Sequence, residues 1–368
     1  MLELIPQGLR FDFIGKAKLG IAVSLAVILI GLVSIVTHGG LNLGIDFSGG
    51  ILLQLRLSQA AELATVREIL GGLNLGNSVV QHFGDTREVL IRVPQTAETE
   101  GNDIGPQVQQ ALSERLNDPD IDLRRVEIVG PQVSTDLRRQ ALFALFYAIL
   151  GIVIYISGRF EAKWFAALAL AVALFAVTYA ITRWLPGVSP MILIIIALLV
   201  TVVFCLFLQL RYAMAAIVAL FHDVLITVGF FSLFDKPFDL PIVAALLTIV
   251  GYSLNDTIIV FDRIRENTHG QRREEFASIV NASINQTLSR TVLTSGTTLI
   301  VVMALFFFGG EVIHNFAFAL LVGIIVGTYS SIFIASPLLV FWNASATAQR
   351  LTLVRPSRPS RSQRTQQA

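Results

Sequence analysis

Eight apolar runs, each about 18 residues or longer, leave this chain little choice of fold. A run of that length crosses the roughly 30 Å hydrocarbon core of a bilayer as one α-helix. They lie at roughly 19–37, 139–157, 164–184, 190–209, 212–234, 241–261, 291–309 and 314–341. Of 368 residues, 54% are hydrophobic and 14% charged, against roughly a quarter charged in soluble domains. Mean hydropathy is +0.70. An ordinary soluble domain is excluded. The single cysteine, Cys205, sits inside an apolar run, so no intrachain disulfide can form. The first run follows Arg10, Lys16 and Lys18 like a signal sequence. It is longer than a signal core of about 7–15 residues and no Ala-x-Ala site follows, so an uncleaved anchor is expected.

Lys and Arg flanking the spans set orientation. Arg10, Lys16, Lys18, Arg159, Lys163, Arg211, Arg263, Arg265, Arg272, Arg273 and Arg290 fall on one side, joined by five arginines of the tail. The short turns opposite hold Arg183 and Lys236. Both termini are therefore expected in the cytoplasm. The Pro-, Ser-, Gln- and Arg-rich tail is expected to be disordered and to set topology rather than bind nucleic acid. The resulting plan is a cytoplasmic N-terminus (1–18), a span (19–37), an extracytoplasmic domain (38–138), a span (139–157), a hairpin (164–209), a bundle (212–341) and a basic tail (342–368).

The polar stretch between the first two spans reads as strand 50–57, a helix capped by Ser58 and reaching about Leu70, strands 78–83 and 88–93 around a Gly84-Asp85 turn, helix 105–116 and strand 123–129. That βαββαβ order predicts a small ferredoxin-like sandwich. The fold class is thus a polytopic, all-α membrane bundle of about eight helices carrying a ferredoxin-like extracytoplasmic domain. His38 and His82 are isolated, and no cluster of catalytic or metal-binding type stands out. No cofactor and no enzymatic chemistry are expected.

Two carboxylates inside the spans call for a role. An Asp near the bilayer centre costs about 2.5–3.5 kcal/mol on insertion scales, so such a residue usually has a partner and a function. Asp256 lies five residues before Phe261, the expected exit of its helix, or roughly 8 Å inside the boundary at 1.5 Å per residue. The next span runs antiparallel from Arg290. Thr294, one turn deeper on the same face, is expected at the depth of Asp256, with Arg290 reaching in from the rim. An acid, a guanidinium and a hydroxyl converging there could exchange a proton. Ser253 and Asn255 could line the site with polar groups. The same residues also fit a static ion pair with hydrogen-bonding glue. Asp223, about 18 Å deep counting from Arg211, is a second proton-pathway or packing residue. His222 and Asp223 are sequence neighbours and should point different ways on a helix, so no direct relay between them is expected.

Gly323 and Gly327 form a small-xxx-small pair, and Thr294-Ser295-Gly296-Thr297-Thr298 a narrow polar face, both marks of close helix packing. Residues 272–290 carry Phe276, Ile279, Val280, Ile284 and Leu288 at mostly helical spacing, which predicts an amphipathic helix at the interface.

Four blocks resemble the SecD/SecF export family, and specifically SecF: Leu43 to Gly50 (LGIDFSGG), His222-Asp223-Val224, Gly251 to Asn267 (GYSLNDTIIVFDRIREN) and Ser289 to Thr298 (SRTVLTSGTT). The resemblance implies half of an RND-type transporter with six spans and one ferredoxin-like outside domain. It also implies work beside SecD and the SecYEG channel, with YajC a further partner, using protons and the proton-motive force to promote preprotein export across the bacterial inner membrane. It places the functional charges at Asp256 and Arg290, with Thr294 alongside. One departure stands out. Between Arg159-Phe160-Glu161 and the His-Asp-Val helix lie about 50 additional residues, enough for two further spans. Val172-Ala173-Leu174-Phe175 echoes Val218-Ala219-Leu220-Phe221, so a hairpin could have been partly duplicated. Two other readings stay open: an RND-like exporter of a small molecule or lipid, and a scaffold whose buried charges are purely structural.

Overall fold

The computed structural model describes residues 11–60, 62–94, 104–161, 164–184, 190–270 and 275–343. Residues 1–10 and the basic tail lie outside the described residues. Among those described, six helices are long and apolar enough to cross a membrane: α1 (Ala17–Thr37), α5 (Pro131–Glu161), α8 (Arg211–Leu233), α9 (Leu240–Gly270), α10 (Phe276–Phe308) and α11 (Glu311–Ser330), the last continuing past a π-helical turn, Ser331–Ala335, as one apolar helix to Asn343. The two further expected spans are present as helices, α6 (Trp164–Trp184) and α7 (Pro190–Phe207). They fall outside those six, so among the described residues eight apolar helices are present, six of them spans by length and composition, and the expected count of eight spans is not reached by that measure. α6 packs on α5, and α7 on α6, α5 and α8, which leaves the pair at the side of the bundle.

The sheet domain between α1 and α5 follows the expected order. After a short helix α2 (Ile45–Ser48) come β1 (Gly50–Arg56), α3 (Leu63–Gly72), β2 (Val79–Phe83), β3 (Asp85–Val93), α4 (Ile104–Leu116) and β4 (Asp122–Val129). The sheet order is β2-β3-β1-β4, antiparallel throughout, the ferredoxin-like arrangement. Alternation along the strands sends Leu53, Leu55, Val89 and Ile91 to one face, where Val66, Leu70, Val108 and Leu112 of α3 and α4 cover them. Ser58 does not cap α3. Its N–H and hydroxyl donate to the two carboxylate oxygens of Asp118 at 2.9 and 2.7 Å, and the helix starts after Glu62. Pinning the two loops together at that end of the sheet outcompetes a local cap.

A second correction concerns α10. The stretch expected to lie as a separate interfacial helix is continuous with the following span, in one 33-residue helix. No proline or helix-ending glycine interrupts it. Its Val280 and Ile284 are buried with Phe261 and Ile264 of α9 rather than turned to lipid headgroups. Asn281 and Asn285 on the same helix accept from the backbone N–H groups of Phe13 (2.9 Å) and Phe11 (2.8 Å), fixing the chain just before α1.

The domain is joined to the bundle by a short ladder. Phe238 N–H donates to Asn42 O at 2.7 Å and Gly44 N–H to Phe238 O at 2.8 Å. Asp46 accepts from Leu240 N–H at 2.9 Å, at the start of α9.

Candidate functional site

Helical phase decides which polar groups of α9 face inward. Ile242, Leu246, Ile249, Ser253, Asp256 and Val260 form its buried stripe at spacings of three and four. Asp256 is 1% exposed. Asn255 is turned about 100° away and is exposed, so it lines no site with Asp256. On α10 the buried stripe is Ile284, Thr287, Thr291 and Ser295. The hydroxyl facing Asp256 is therefore Ser295, which donates to Asp256 Oδ2 at 3.3 Å. Ser295 also meets the Thr328 hydroxyl of α11 at 2.7 Å.

The expected trio of Asp256, Arg290 and Thr294 is not assembled. Thr294 turns its hydroxyl back to Arg290 O and Thr291 O of its own helix, both at 3.0 Å, a habit of Thr in apolar helices. Arg290 is exposed, and among the described residues no ion pair joins it to Asp256. The i, i+4 rule places Thr294 and Arg290 on one face correctly. That face lies beside the buried stripe rather than on it.

Asp223 forms a second cluster, more completely enclosed. It is 1% exposed and His222 5%. Contrary to the expectation from sequence adjacency, His222 Nδ1 lies 2.8 Å from Asp223 Oδ1. The other oxygen, Oδ2, accepts from Ser253 of α9 and from Ser330 of α11, the latter at 2.9 Å. His222 Nε2 is 2.8 Å from Ser24 Oγ of α1, and the Tyr329 ring stacks on the imidazole at 6.2 Å between centroids. Four helices thus meet on one buried acid–imidazole pair. Gly327 permits this, since a Cβ there would fall 2.9 Å from the Ser253 Cβ. Ser24, Ser330 and Thr328 were not singled out from the sequence; their one signal is a hydroxyl within an otherwise apolar run.

Where the sheet domain meets the bundle, buried Arg92 of β3 donates to Leu43 O at 3.1 Å and to Asn42 Oδ1 at 2.9 Å. Asp239, before α9, keeps a buried oxygen with no hydrogen-bond partner among the described residues. Burial first, then the neighbouring Asp46 charge, pushes its carboxyl up to about 6, against the pull of Arg92.

Family comparison agrees with this architecture. The family described as protein export membrane protein SecD/SecF, C-terminal, matches residues 108–185 and 187–345, two stretches divided between α6 and α7. The SecD/SecF GG motif matches residues 33–61. The protein translocase subunit SecF of Desulfurispirillum indicum is 44% identical over 342 residues, covering 91% of this chain and 93% of the relative. That of Calditerrivibrio nitroreducens is 43% identical over 339 residues, covering 92% and 95%. The crystal structure of SecDF from Thermus thermophilus, a translocon-associated membrane protein, superposes with a TM-score of 0.67 at 32% identity over 92% of this chain. This chain spans 39% of that longer one. With its ferredoxin-like domain, its apolar helices and these matches, the chain belongs to the SecD/SecF family of protein export membrane proteins, on its SecF side.

Proposed function

We propose that this chain is the SecF-type auxiliary subunit of the Sec protein translocase, working with SecD and driven by protons crossing the bundle at Asp256. The observation that carries the proton reading is a carboxylate buried among helices whose direct partner is a hydroxyl, Ser295, rather than a fixed guanidinium. A hydroxyl can donate to a carboxylate or accept from a carboxylic acid, so both protonation states keep a hydrogen bond. Arg290, on α10 five residues before Ser295, supplies a mobile positive charge that can approach when the acid is ionised. Asp223 serves as a second carboxylate of the pathway. The membrane is the bacterial inner membrane, with both termini on the cytoplasmic side and the α6–α7 hairpin crossing it beside α5. The SecYEG channel, YajC and the emerging preprotein complete the set of partners.

The driving force is about 2.3 kcal/mol per charge per 100 mV, which suits repeated small strokes of the outside domain. The test is Asp256→Asn in cells depleted of the native protein, scored by secretion of a Sec-dependent reporter. The expected result is lost secretion at an unchanged membrane level of the variant. Full rescue by asparagine would remove proton coupling at Asp256.

A further inference from the structure

The His222–Asp223 pair has the connections of a proton-holding site in its own right. Consider the pair with one proton, on Nδ1. Asp223 is then a carboxylate receiving His222 Nδ1–H on Oδ1 (2.8 Å), and the Ser253 and Ser330 hydroxyls on Oδ2. His222 Nε2 is a bare lone pair and accepts from Ser24, 2.8 Å away. Every group is satisfied, and the pair carries one buried negative charge. Now add a proton at Nε2. It donates to Ser24 Oγ, and the Ser24 hydroxyl turns to Tyr329 Oη at 3.4 Å. That phenol oxygen is free to accept because its own hydrogen goes to Gly20 O at 2.6 Å. The pair is now neutral overall, and again no buried donor or acceptor is stranded. Uptake or release of one proton requires only rotation of the Ser24 hydroxyl.

We propose that His222, with Asp223, is a second proton-binding site of the bundle, loaded and emptied through Ser24 of α1 and in series with Asp256. The proposal rests on the proton-coupled reading above and adds the residue and the helix through which a proton is relayed. Position supports the series. Ser253, which holds Asp223, is three residues before Asp256 on the same face of α9. Ser330, which also holds Asp223, is two residues after Thr328, which shares Ser295 with Asp256. Both clusters thus hang on the same turn of α9 and of α11. The π-helical turn at Ser331–Ala335 begins at the next residue, a feature frequent at functional sites. From α1 the pair meets Ser24; from α9, Ser253; from α11, Tyr329 and Ser330. Tyr329 is the one other titratable group in that shell among the described residues.

The experiment uses the full chain with its SecD partner in lipid vesicles, labelled with ¹⁵N-histidine. Imidazole nitrogen shifts are followed between about pH 5 and pH 8, the window in which histidine changes charge. The chain has five histidines, so the His222 signal is assigned as the one missing in His222→Gln, or as the one displaced in Ser24→Ala if the glutamine variant does not accumulate. The expected result is reversible proton uptake at His222 in the wild type, and loss of that titration in Asp223→Asn, where an imidazolium would be buried without a counter-charge. A His222 signal that stays in one protonation state across the window, or titrates unchanged in Asp223→Asn, overturns the proposal. Asp256→Asn separates this from the underlying reading. Titration at His222 together with full secretion in Asp256→Asn retires coupling at Asp256 and keeps the site. No titration, with secretion lost in Asp256→Asn, retires the site alone.

Discussion

Replacing Gly31 by alanine should force α1 away from α8. A Cβ on Gly31 would stand 2.8 Å from the Gly229 Cα, and one on Gly229 would stand 3.0 Å from the Gly31 Cα. Carbon–carbon contact is optimal at about 3.5–4.0 Å, so relief needs about 0.7–1.2 Å of separation. The obstructing atom is backbone, with no rotamer to change. Overpacking of this kind costs about 1–3 kcal/mol. Two interhelical bonds depend on the same face: Ser34 to Ser232 at 2.9 Å and Ser24 to His222 at 2.8 Å. Interhelical hydrogen bonds in membranes contribute about 0.6 kcal/mol each on average and at most about 1.7, so stretching both brings the expected loss to about 2–4 kcal/mol. Gly251 supplies the control. A Cβ there meets nothing within 4 Å, and alanine inside a helix gains about 0.5–1 kcal/mol over glycine. Reversible denaturation of the purified chain in mixed micelles should therefore separate Gly31→Ala from Gly251→Ala by about 3 kcal/mol or more, with opposite signs relative to the wild type. Equal stability of the two variants would refute the close α1–α8 approach and the contact distances built on it.

Asp239 should make the junction pH-sensitive. Its folded value of about 6 lies above the ordinary 3.8, so its stabilising contribution is complete below about 3.8 and is lost as pH rises through about 6. At 1.36 kcal/mol per pH unit the loss is about 3 kcal/mol at most, reduced to about 1–3 by partial exposure. Hydrogen exchange at the Phe238 and Ile242 amides should accelerate over that range beyond its intrinsic rate, and Asp239→Asn should abolish the excess; an unchanged slope in the variant would count against it. Ser295→Ala should weaken the bundle by about 0.6–1.7 kcal/mol and impair secretion, because it removes the hydroxyl facing Asp256. Thr294→Val should cost less than about 0.5 kcal/mol, since that hydroxyl serves only its own helix; the reverse order would return Thr294 to the site.

Much of the architecture was legible because it depends on period and length. Strand alternation and turn residues placed all four strands of the sheet domain, and the apolar runs placed the apolar part of each long helix among the described residues. The burial of Asp256 was implicit in the phase of α9, where Ile249, Ser253 and Val260 share its stripe. What the sequence could not reveal is which face of one helix meets which face of another. Counting i+4 from Arg290 selected Thr294, whereas the packed stripe passes through Thr291 and Ser295. His222 and Asp223 leave the helix about 100° apart, which argued against contact. The imidazole is long enough to fold back, and Ser24 fixes its far nitrogen from 198 residues away in sequence. The Ser58 cap failed for a similar reason: its competitor, Asp118, is 60 residues distant.

Under the proposed proton coupling, the β-sheet domain receives the motion, and the junction has the strength to transmit it. Phe238 N–H to Asn42 O, Gly44 N–H to Phe238 O, Leu240 N–H to Asp46 and the two bonds from the Asn42 amide to Asp235 tie the domain to the start of α9. At about 0.5–1.5 kcal/mol each, these five bonds together are worth about 2.5–7.5 kcal/mol. One proton moving through 100 mV delivers about 2.3 kcal/mol, at or below the lower end of that range. A stroke of one proton therefore displaces the domain before it detaches it. α1 is the natural carrier of that stroke: it touches His222 through Ser24, α8 through Gly31 and Ser34, and runs within seven residues from Thr37 to the Gly44–Phe238 bond. Removing the junction's side-chain bonds with Asn42→Ala and Asp46→Ala should then leave the bundle folded and proton binding intact while secretion falls. Retained secretion in that double variant would mean that the outside domain is driven by some other contact.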